Sequence, residues 1–181
     1  LDLKNLQRKF DIIECVGVLH HMSDPFKGWS ILTDCLNDGG LMNIGLYSKL
    51  ARLQITSLRN SILSKKVGNN NTEIKSYRSS LSRSLSEQNE WLINKQDFYS
   101  TSMFRDLLFH TKELQFSLKE IKNFIRDLGL IFSGFEDISI VNLFKKENRS
   151  PNDLYDLDKW HLFEKKNPNI FFGMYQFWCQ K

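Results

Sequence analysis

The sequence has little that would cross-link it or carry it through a membrane. Its three cysteines, Cys15, Cys35 and Cys179, lie far apart in a chain of 181 residues. That spacing fits neither a disulfide framework nor a zinc site, and buried free thiols are expected instead. No apolar run approaches the ~20 residues of a spanning helix, and the first residues have neither the basic segment nor the apolar run of a signal peptide. A cytoplasmic protein without a membrane partner is the expectation. His110 and His161 stand far from each other and from the pair His20-His21, without metal-ligand spacing, so no metal is expected. No internal repeat is present.

What is present suffices for a core. Hydrophobic residues make up 41% of the chain and aromatics 13%, which excludes disorder and gives one domain's worth of apolar material. The net charge of +4 does not point to nucleic acid. Its distribution is uneven: Lys49 to Gln88 holds eight Lys or Arg against two acids, Glu73 and Glu87. Aromatics are almost absent there, so a solvated helical face is favoured over a nucleic-acid surface.

The stretch Phe10 to Ser48 reads as strand, loop, helix, turn and strand in succession, one βαβ unit. Phe10 to Val18 is apolar with scattered exceptions, the pattern of a parallel strand covered on both faces. Asp24 before Pro25 is an N-cap followed by proline at the first helical position, and Trp29, Leu32, Cys35 and Leu36 recur at helical spacing. Asn37-Asp38-Gly39-Gly40 turns the chain into a second strand, Leu41 to Tyr47. A right-handed crossover puts the loop after Gly17 at the carboxyl edge of the sheet, where such folds bind ligands.

Further on, Ile55, Leu58 and Ile62 share one helical face and Ile74, Tyr77, Leu81 and Leu85 another, with Val67 to Asn71 as the loop between them. A serine-rich tract from Ser76 to Ser86 weakens the second helix. Asp97 to His110, with Phe98, Met103, Leu107 and Leu108, predicts a short helix against the sheet edge. Ser117-Leu118-Lys119-Glu120 is a capping box, with Phe116 and Ile121 as its staple and a stripe through Phe124, Ile125 and Leu128 closed by Gly129. Leu130 to Phe135 predicts a strand, extended after a bend through Ile138 to Val141. Phe144 to Tyr155 predicts an exposed loop. Asp158 is expected to cap a short helix through Trp160 and Phe163, and Phe171 to Trp178 to form the last strand.

The string Phe10-Asp11-Ile12-Ile13, then Val18-Leu19-His20-His21-Met22, Asp24-Pro25 and Cys35-Leu36-Asn37-Asp38-Gly39-Gly40-Leu41-Met42, resembles the fourth strand, loop, helix and fifth strand of class I S-adenosylmethionine-dependent methyltransferases. Gly45 to Ser48, Asp97 to Ser100, Arg105 to His110 and Gly173 to Trp178 resemble a subgroup often found behind tetratricopeptide repeats. The resemblance spans residues 1–181. It implies an α/β, Rossmann-like methyltransferase fold, of which these residues are the C-terminal half, strands four to seven, with a helical insertion over 49–115. In that fold the sheet order is three, two, one, four, five, seven, six, with the seventh strand antiparallel. The glycine-rich loop and ribose-binding acid of the family are not found in this sequence, which opens at Leu1 and reads as a fragment. Its first strand is therefore expected to be an open edge prone to association.

The resemblance further implies S-adenosyl-L-methionine as cofactor and an unidentified methyl acceptor as partner, with tetratricopeptide repeats upstream. Methyl transfer from a sulfonium requires donor and nucleophile in line and water excluded, with a base optional. The family's cofactor-contacting loop corresponds to Cys15, Val16, Gly17, Val18 and Leu19, chiefly through backbone, followed by His20 and His21. His20 is the candidate base or orienting group, and Tyr47 a candidate wall of the acceptor pocket, each balanced by a structural role. Tyr99, Arg105 and His110 are candidate substrate contacts, with an Arg105–Asp106 brace as the competing reading. A non-catalytic, methyltransferase-like binding module with a basic helical insertion is the alternative function. A nucleotide-cofactor oxidoreductase is the third, since doubly wound sheets host many chemistries.

Overall fold

The computed structural model describes residues 2–83, 91–110 and 112–181. Leu1, the helix-face residue Leu85 and the tract residues Ser84 and Ser86 lie outside the described residues. The chain divides into two compact units, one formed by Leu1–Arg52 with Glu113–Lys181, the other by Leu53–Lys112.

The first unit is built on four strands, β1 (Phe10–Val16), β2 (Leu36–Leu46), β3 (Ile131–Phe135) and β4 (Tyr175–Gln180). They lie in the order β1-β2-β4-β3, with β1 parallel to β2 and β4 antiparallel to both neighbours. This is the order four, five, seven, six implied by the resemblance. Register sorts the side chains. The cross-strand row Ile13, Met42, Cys179 and Phe132 faces the core, while the next row, Ile12, Leu41, Gln180 and Ile131, faces outward. Ile12 is 60% exposed and Ile131 65%. The expected double-covered strand is therefore corrected: β1 pairs only with β2 among the described strands, and its outward row is open to water.

Three helices supply the covered side: α1 (Pro25–Asp34), α6 (Leu118–Asp127) and α8 (Leu157–Lys166). They bring Trp29, Ile121, Ile125 and Trp160 into one core with Ile44 and Phe177. The predicted starts of α1 and α6 are present. Asp24 Oδ1 accepts from Lys27 N at 2.9 Å ahead of Pro25. The Ser117 and Glu120 side chains cap each other's backbone N–H. Gly129, at φ +67, closes α6, and Leu130 N donates to the Ile125 carbonyl.

Several boundaries differ from the sequence reading. Helix α1 stops at Asp34, and Leu36 already belongs to β2, so Asn37 to Gly40 form a bulge that shifts register between Phe10 and Ile12. Ile138 to Val141 is helix, not strand: α7 spans Ile138–Glu147 because Asp137 Oδ1 accepts from Ser139 N and Ile140 N. The β-branched run suggested a strand, but Ile140, Val141 and Phe144 bring one helical face to the core. Phe144, expected in an exposed loop, is fully buried and stacks on Trp160 with ring centroids 3.7 Å apart. The loop after it contains a 3-10 turn, Pro151–Tyr155. Asp156, not Asp158, caps α8, since its Oδ1 takes Asp158 N and Lys159 N, while the Asp158 carboxylate pairs with Lys122. Strand β4 begins at Tyr175, after a turn that buries Phe171.

The second unit is helical: α2 (Leu53–Ser64), α3 (Asn71–Arg83), α4 (Gln96–Tyr99) and α5 (Thr101–Phe109). Ile55, Ile62, Ile74, Tyr77, Leu81, Phe98, Phe104, Leu107 and Leu108 are among its buried residues, on the predicted stripes and beside them. Its arginines turn inward more than a solvated face requires. Arg59 Nε donates to the Leu107 carbonyl at 2.9 Å, and Arg78 Nη1 to the Tyr99 carbonyl at 3.1 Å. They satisfy chain-end carbonyls that would otherwise lack donors.

Candidate active site

The loop after β1 opens at the carboxyl edge of the sheet. Gly17 sits at φ +78, a left-handed conformation costly for any other residue, and a Cβ there would meet nothing within 4 Å. Val16 and Val18 flank it with exposed side chains. Leu19 and His20 then fold under in a 3-10 turn, Leu19–His21, and both are buried. Leu19 packs in the core, so only its backbone remains available to a ligand. The turn is held by α1: a Cβ on Gly28 would stand 2.6 Å from Met22 Sδ and 3.1 Å from a Leu19 methyl. Cys15 is buried at the strand end, and desolvation raises its thiol pKa.

Beneath the loop lies a stack of four polar side chains. The His20 ring lies 4.0 Å from the Tyr47 ring at an interplanar angle of 34°, and His21 meets His20 edge-on at 4.3 Å. The Arg52 guanidinium stands 3.5 Å from the Tyr47 ring centroid. Arg52 Nη1 in turn approaches Glu113 Oε2 at 3.8 Å, with both side chains almost wholly buried. Backbone bonds align the segments: Leu114 N donates to the His20 carbonyl at 2.8 Å, and Phe116 N to the Tyr47 carbonyl at 2.9 Å. Burial above all, then the neighbouring His21, pushes the His20 pKa down to about 4, so the ring is neutral at pH 7. Glu113 and the Gly45 carbonyl oppose that shift. Among the described residues neither His20 nitrogen nor Arg52 Nε has a well-formed hydrogen-bond partner, which sets three buried polar atoms side by side at one place.

Beyond Tyr47 the chain turns through a second buried group. Ser48 Oγ donates to Glu164 Oε1 at 2.6 Å, Tyr175 OH donates to the same oxygen at 2.5 Å, and Ala51 N donates to Ser48 Oγ at 3.0 Å. This pins the end of β2 to α8 and β4. Desolvation raises the Glu164 pKa against the pull of the two hydroxyls. Sequence reading missed Arg52, Glu113 and Glu164, which lie in no motif. A buried acid in the apolar run Trp160 to Phe163 to Glu164 was the one available signal.

The structure thus gathers Cys15, Val16, Gly17, Val18, Leu19, His20, His21 and Tyr47 at one sheet edge. It places His20 in the floor, under the loop, where it supports Tyr47. Tyr99, Arg105 and His110 belong to the second unit. Tyr99 is 69% exposed, and Arg105 Nη2 is held by Asn71 Oδ1 at 2.7 Å and the Asn69 carbonyl at 3.2 Å rather than by Asp106. His110 Nδ1 accepts from Lys112 N at 3.3 Å. Among the described residues no three His, Cys, Asp or Glu are grouped to hold a metal, and no helix is long and apolar enough to cross a membrane.

No family model matches the sequence. An uncharacterized protein of a Synechococcus strain is 27% identical over 93% of this chain and 44% of its own length. A tRNA U34 carboxymethyltransferase of Campylobacter fetus is 54% identical over 39 residues, 22% of this chain and 14% of that protein. Among solved structures, PKMT2 from Rickettsia typhi matches 99% of this chain and 38% of its own chain at a TM-score of 0.69 and 14% identity. PKMT2 in complex with AdoHcy matches at the same TM-score and 12% identity. The chain therefore spans less than half the length of these proteins. Its fold is Rossmann-like, with the strand order of class I S-adenosylmethionine-dependent methyltransferases, which it resembles from β1 to β4.

Proposed function

We propose that these residues are the part of an S-adenosylmethionine-dependent methyltransferase that walls the sulfonium end of the cofactor and faces the methyl acceptor. The observation that carries this reading is the likeness over 99% of the chain to a protein crystallised with AdoHcy, the demethylated form of that cofactor. The residues at the carboxyl edge fit such a ligand: Gly17 leaves open space where a side chain would stand, and Val16 and Val18 offer apolar edges. When bound, the cofactor supplies an electrophilic methyl group. Cys15, Val16, Gly17, Val18 and Leu19 line it through backbone, His21 borders the turn, and the His20–Tyr47–Arg52 stack keeps the floor rigid and dry. Tyr47 is the side chain placed to orient an acceptor. His20, neutral and buried, positions Tyr47.

The acceptor is a partner of this reading without an assigned identity, and in the helical unit the candidate contacts Tyr99 and Arg105 are both exposed. The tRNA of the Campylobacter relative is not carried over, because that match covers 22% of the chain and the helical unit's Arg59 and Arg78 are spent on backbone carbonyls. Upstream tetratricopeptide repeats and a cytoplasmic setting complete the proposal, the latter consistent with three buried free cysteines.

Transfer of a radiolabelled methyl group from S-adenosylmethionine by the full-length protein tests the function. Val18→Trp, beside Gly17 but at an ordinary φ of -118 and exposed, should abolish transfer and leave the circular dichroism spectrum intact; unchanged turnover and cofactor affinity would show that this loop is not the cofactor wall. The 181-residue chain alone, with no glycine-rich loop or ribose-binding acid in its sequence, should show no calorimetric affinity for the cofactor, and micromolar binding would refute that division of labour. Retained partner binding without any transfer would favour the alternative of a non-catalytic module.

A further inference from the structure

The chain returns to the first unit at Glu113, and residues 113–115 run against the loop after β1 before the chain reaches Phe116. Phe116 is anchored. It is buried in the core, its N–H donates to the Tyr47 carbonyl at 2.9 Å, its carbonyl accepts from Lys49 N at 2.8 Å, and the capping box of α6 begins at the next residue. Ser48, bridged to Phe116, is anchored in turn by Glu164. Residues 113–115 lie nearer the surface: Leu114 is 37% exposed and Gln115 half-buried, so little apolar surface holds them down. Leu114 N donates to the His20 carbonyl at 2.8 Å, and Glu113 Oε2 meets Arg52 Nη1 at 3.8 Å, longer than a hydrogen bond. The groups beneath them are poorly satisfied. Both His20 nitrogens and Arg52 Nε are buried without a well-formed partner among the described residues, and the ion pair carries a desolvation penalty of its own. Contact with water relieves both, so closure is opposed where the chain is held least.

We propose that residues 113–115 form a strap, hinged at Phe116, that lifts from and closes on the His20–Tyr47 stack, with the Arg52–Glu113 pair as its catch. Lifting breaks the backbone bond from Leu114 to His20 and the ion pair, and lets water reach the His20 nitrogens and Arg52 Nε. Closing expels that water and keeps the floor dry. The hinge stays in place because Ser48 and Phe116 are each fixed from the far side, by Glu164 and by the core. Arg52 does not travel with the strap, since Ala51 N bonds back to Ser48 Oγ and Arg52 N to the Ser48 carbonyl. Such a segment opens without unfolding the sheet, as local openings and lids do. Lying beside Tyr47, the strap admits the methyl acceptor when lifted and confines it when closed. That use rests on the function proposed above; the lifting rests on the strap's own contacts.

The test is native-state amide hydrogen exchange of the 181-residue chain, resolved by NMR and run without cofactor. The protection factor of Leu114 should lie about a hundredfold or more below those of Phe116 and of β2 and β4, which are paired on both sides. Arg52→Met with Glu113→Leu replaces the catch by an apolar contact that water does not reward, and should raise protection at Leu114 about tenfold relative to Phe116. His20→Phe, which removes the two ring nitrogens, should act in the same direction and stands in if the double variant fails to fold. Matching protection at Leu114 and Phe116 in the parent, or a Leu114-to-Phe116 ratio that fails to rise in the variants that fold, overturns the proposal. Methyl transfer by the full-length protein is read separately. Its absence removes the acceptor and leaves the strap in place, whereas matching protection removes the strap and leaves the methyltransferase reading.

Discussion

Two buried carboxylates stand near the end of β2 and are neutralised by different means. Glu113 faces a cation, Arg52, which is itself spread over Tyr47. Among the described residues Glu164 faces only hydroxyls, from Ser48 and Tyr175. The first arrangement retains two opposite charges out of water, so each depends on the other. The second retains a single charge, supported by neutral dipoles, and its burial penalty appears as a raised pKa. The ion pair should therefore be sensitive to loss of either partner, and the hydroxyl-bound acid sensitive to pH.

The largest effect expected is that of Arg52→Met. It leaves Glu113 buried without its cation and removes the ring's cationic support, a loss of about 3 kcal/mol or more. Urea unfolding measures it, and a change below about 1 kcal/mol would show that the pair contributes nothing net. Adding Glu113→Leu to Arg52→Met should recover much of the loss, since the buried negative charge goes with it.

Next in size is Glu164→Ala. It strips Ser48 Oγ and Tyr175 OH of their shared acceptor in a dry core and opens a cavity, together about 2–4 kcal/mol. A midpoint shift in urea with unchanged slope would identify a native-state loss. Full tolerance would mean that water replaces the carboxylate, and that the end of β2 is wetter than its burial shows.

Acid titration of His20 comes third. Its folded pKa of about 4 lies below the ordinary imidazole value of 6.5, so the folded state binds fewer protons than the unfolded one. The stability it contributes is present above pH 6.5 and is lost as pH falls toward 4, on the order of 2 kcal/mol. His20→Phe, which keeps the stack on Tyr47, should flatten that part of the pH–stability curve. Identical curves for both proteins would place the acid sensitivity elsewhere.

How far the sequence reaches follows from the same contrast. Local signals were sufficient where a motif closes within a few residues: the Asp24-Pro25 cap, the Ser117–Glu120 box and the parallel pairing of β1 with β2 were all legible. They misled where a neighbour decides. Ile138 to Val141 has a strand's composition, and Asp137 together with the Phe144–Trp160 stack makes it a helix. The candidate site was legible as a place, the loop after Gly17, beneath which the structure brings His20 and Tyr47 together. Arg52, Glu113 and Glu164 were not, because pairs separated by 61 and 116 positions, Arg52 with Glu113 and Ser48 with Glu164, leave no periodic trace.

The smallest effect sharpens the comparison most. In Glu164→Gln the carbonyl oxygen still accepts from Ser48 Oγ and Tyr175 OH, and the buried charge is gone. Desolvation raises the folded pKa of Glu164 above the ordinary carboxyl value of 4.5, so the folded state binds more protons than the unfolded one in that range. The stability linked to this group is fully present below pH 4.5 and is lost as pH rises through the folded pKa. Glutamine cannot ionise and should escape that loss. The variant and the parent should then be equally stable near pH 4, with the variant ahead at pH 7 by up to about 1 kcal/mol. Thermal unfolding at both pH values measures the difference. A variant less stable at pH 7 would show that the two hydroxyls favour the carboxylate by more than burial penalises it, and Glu164 would then resemble the ion-paired Glu113 in all but its partners.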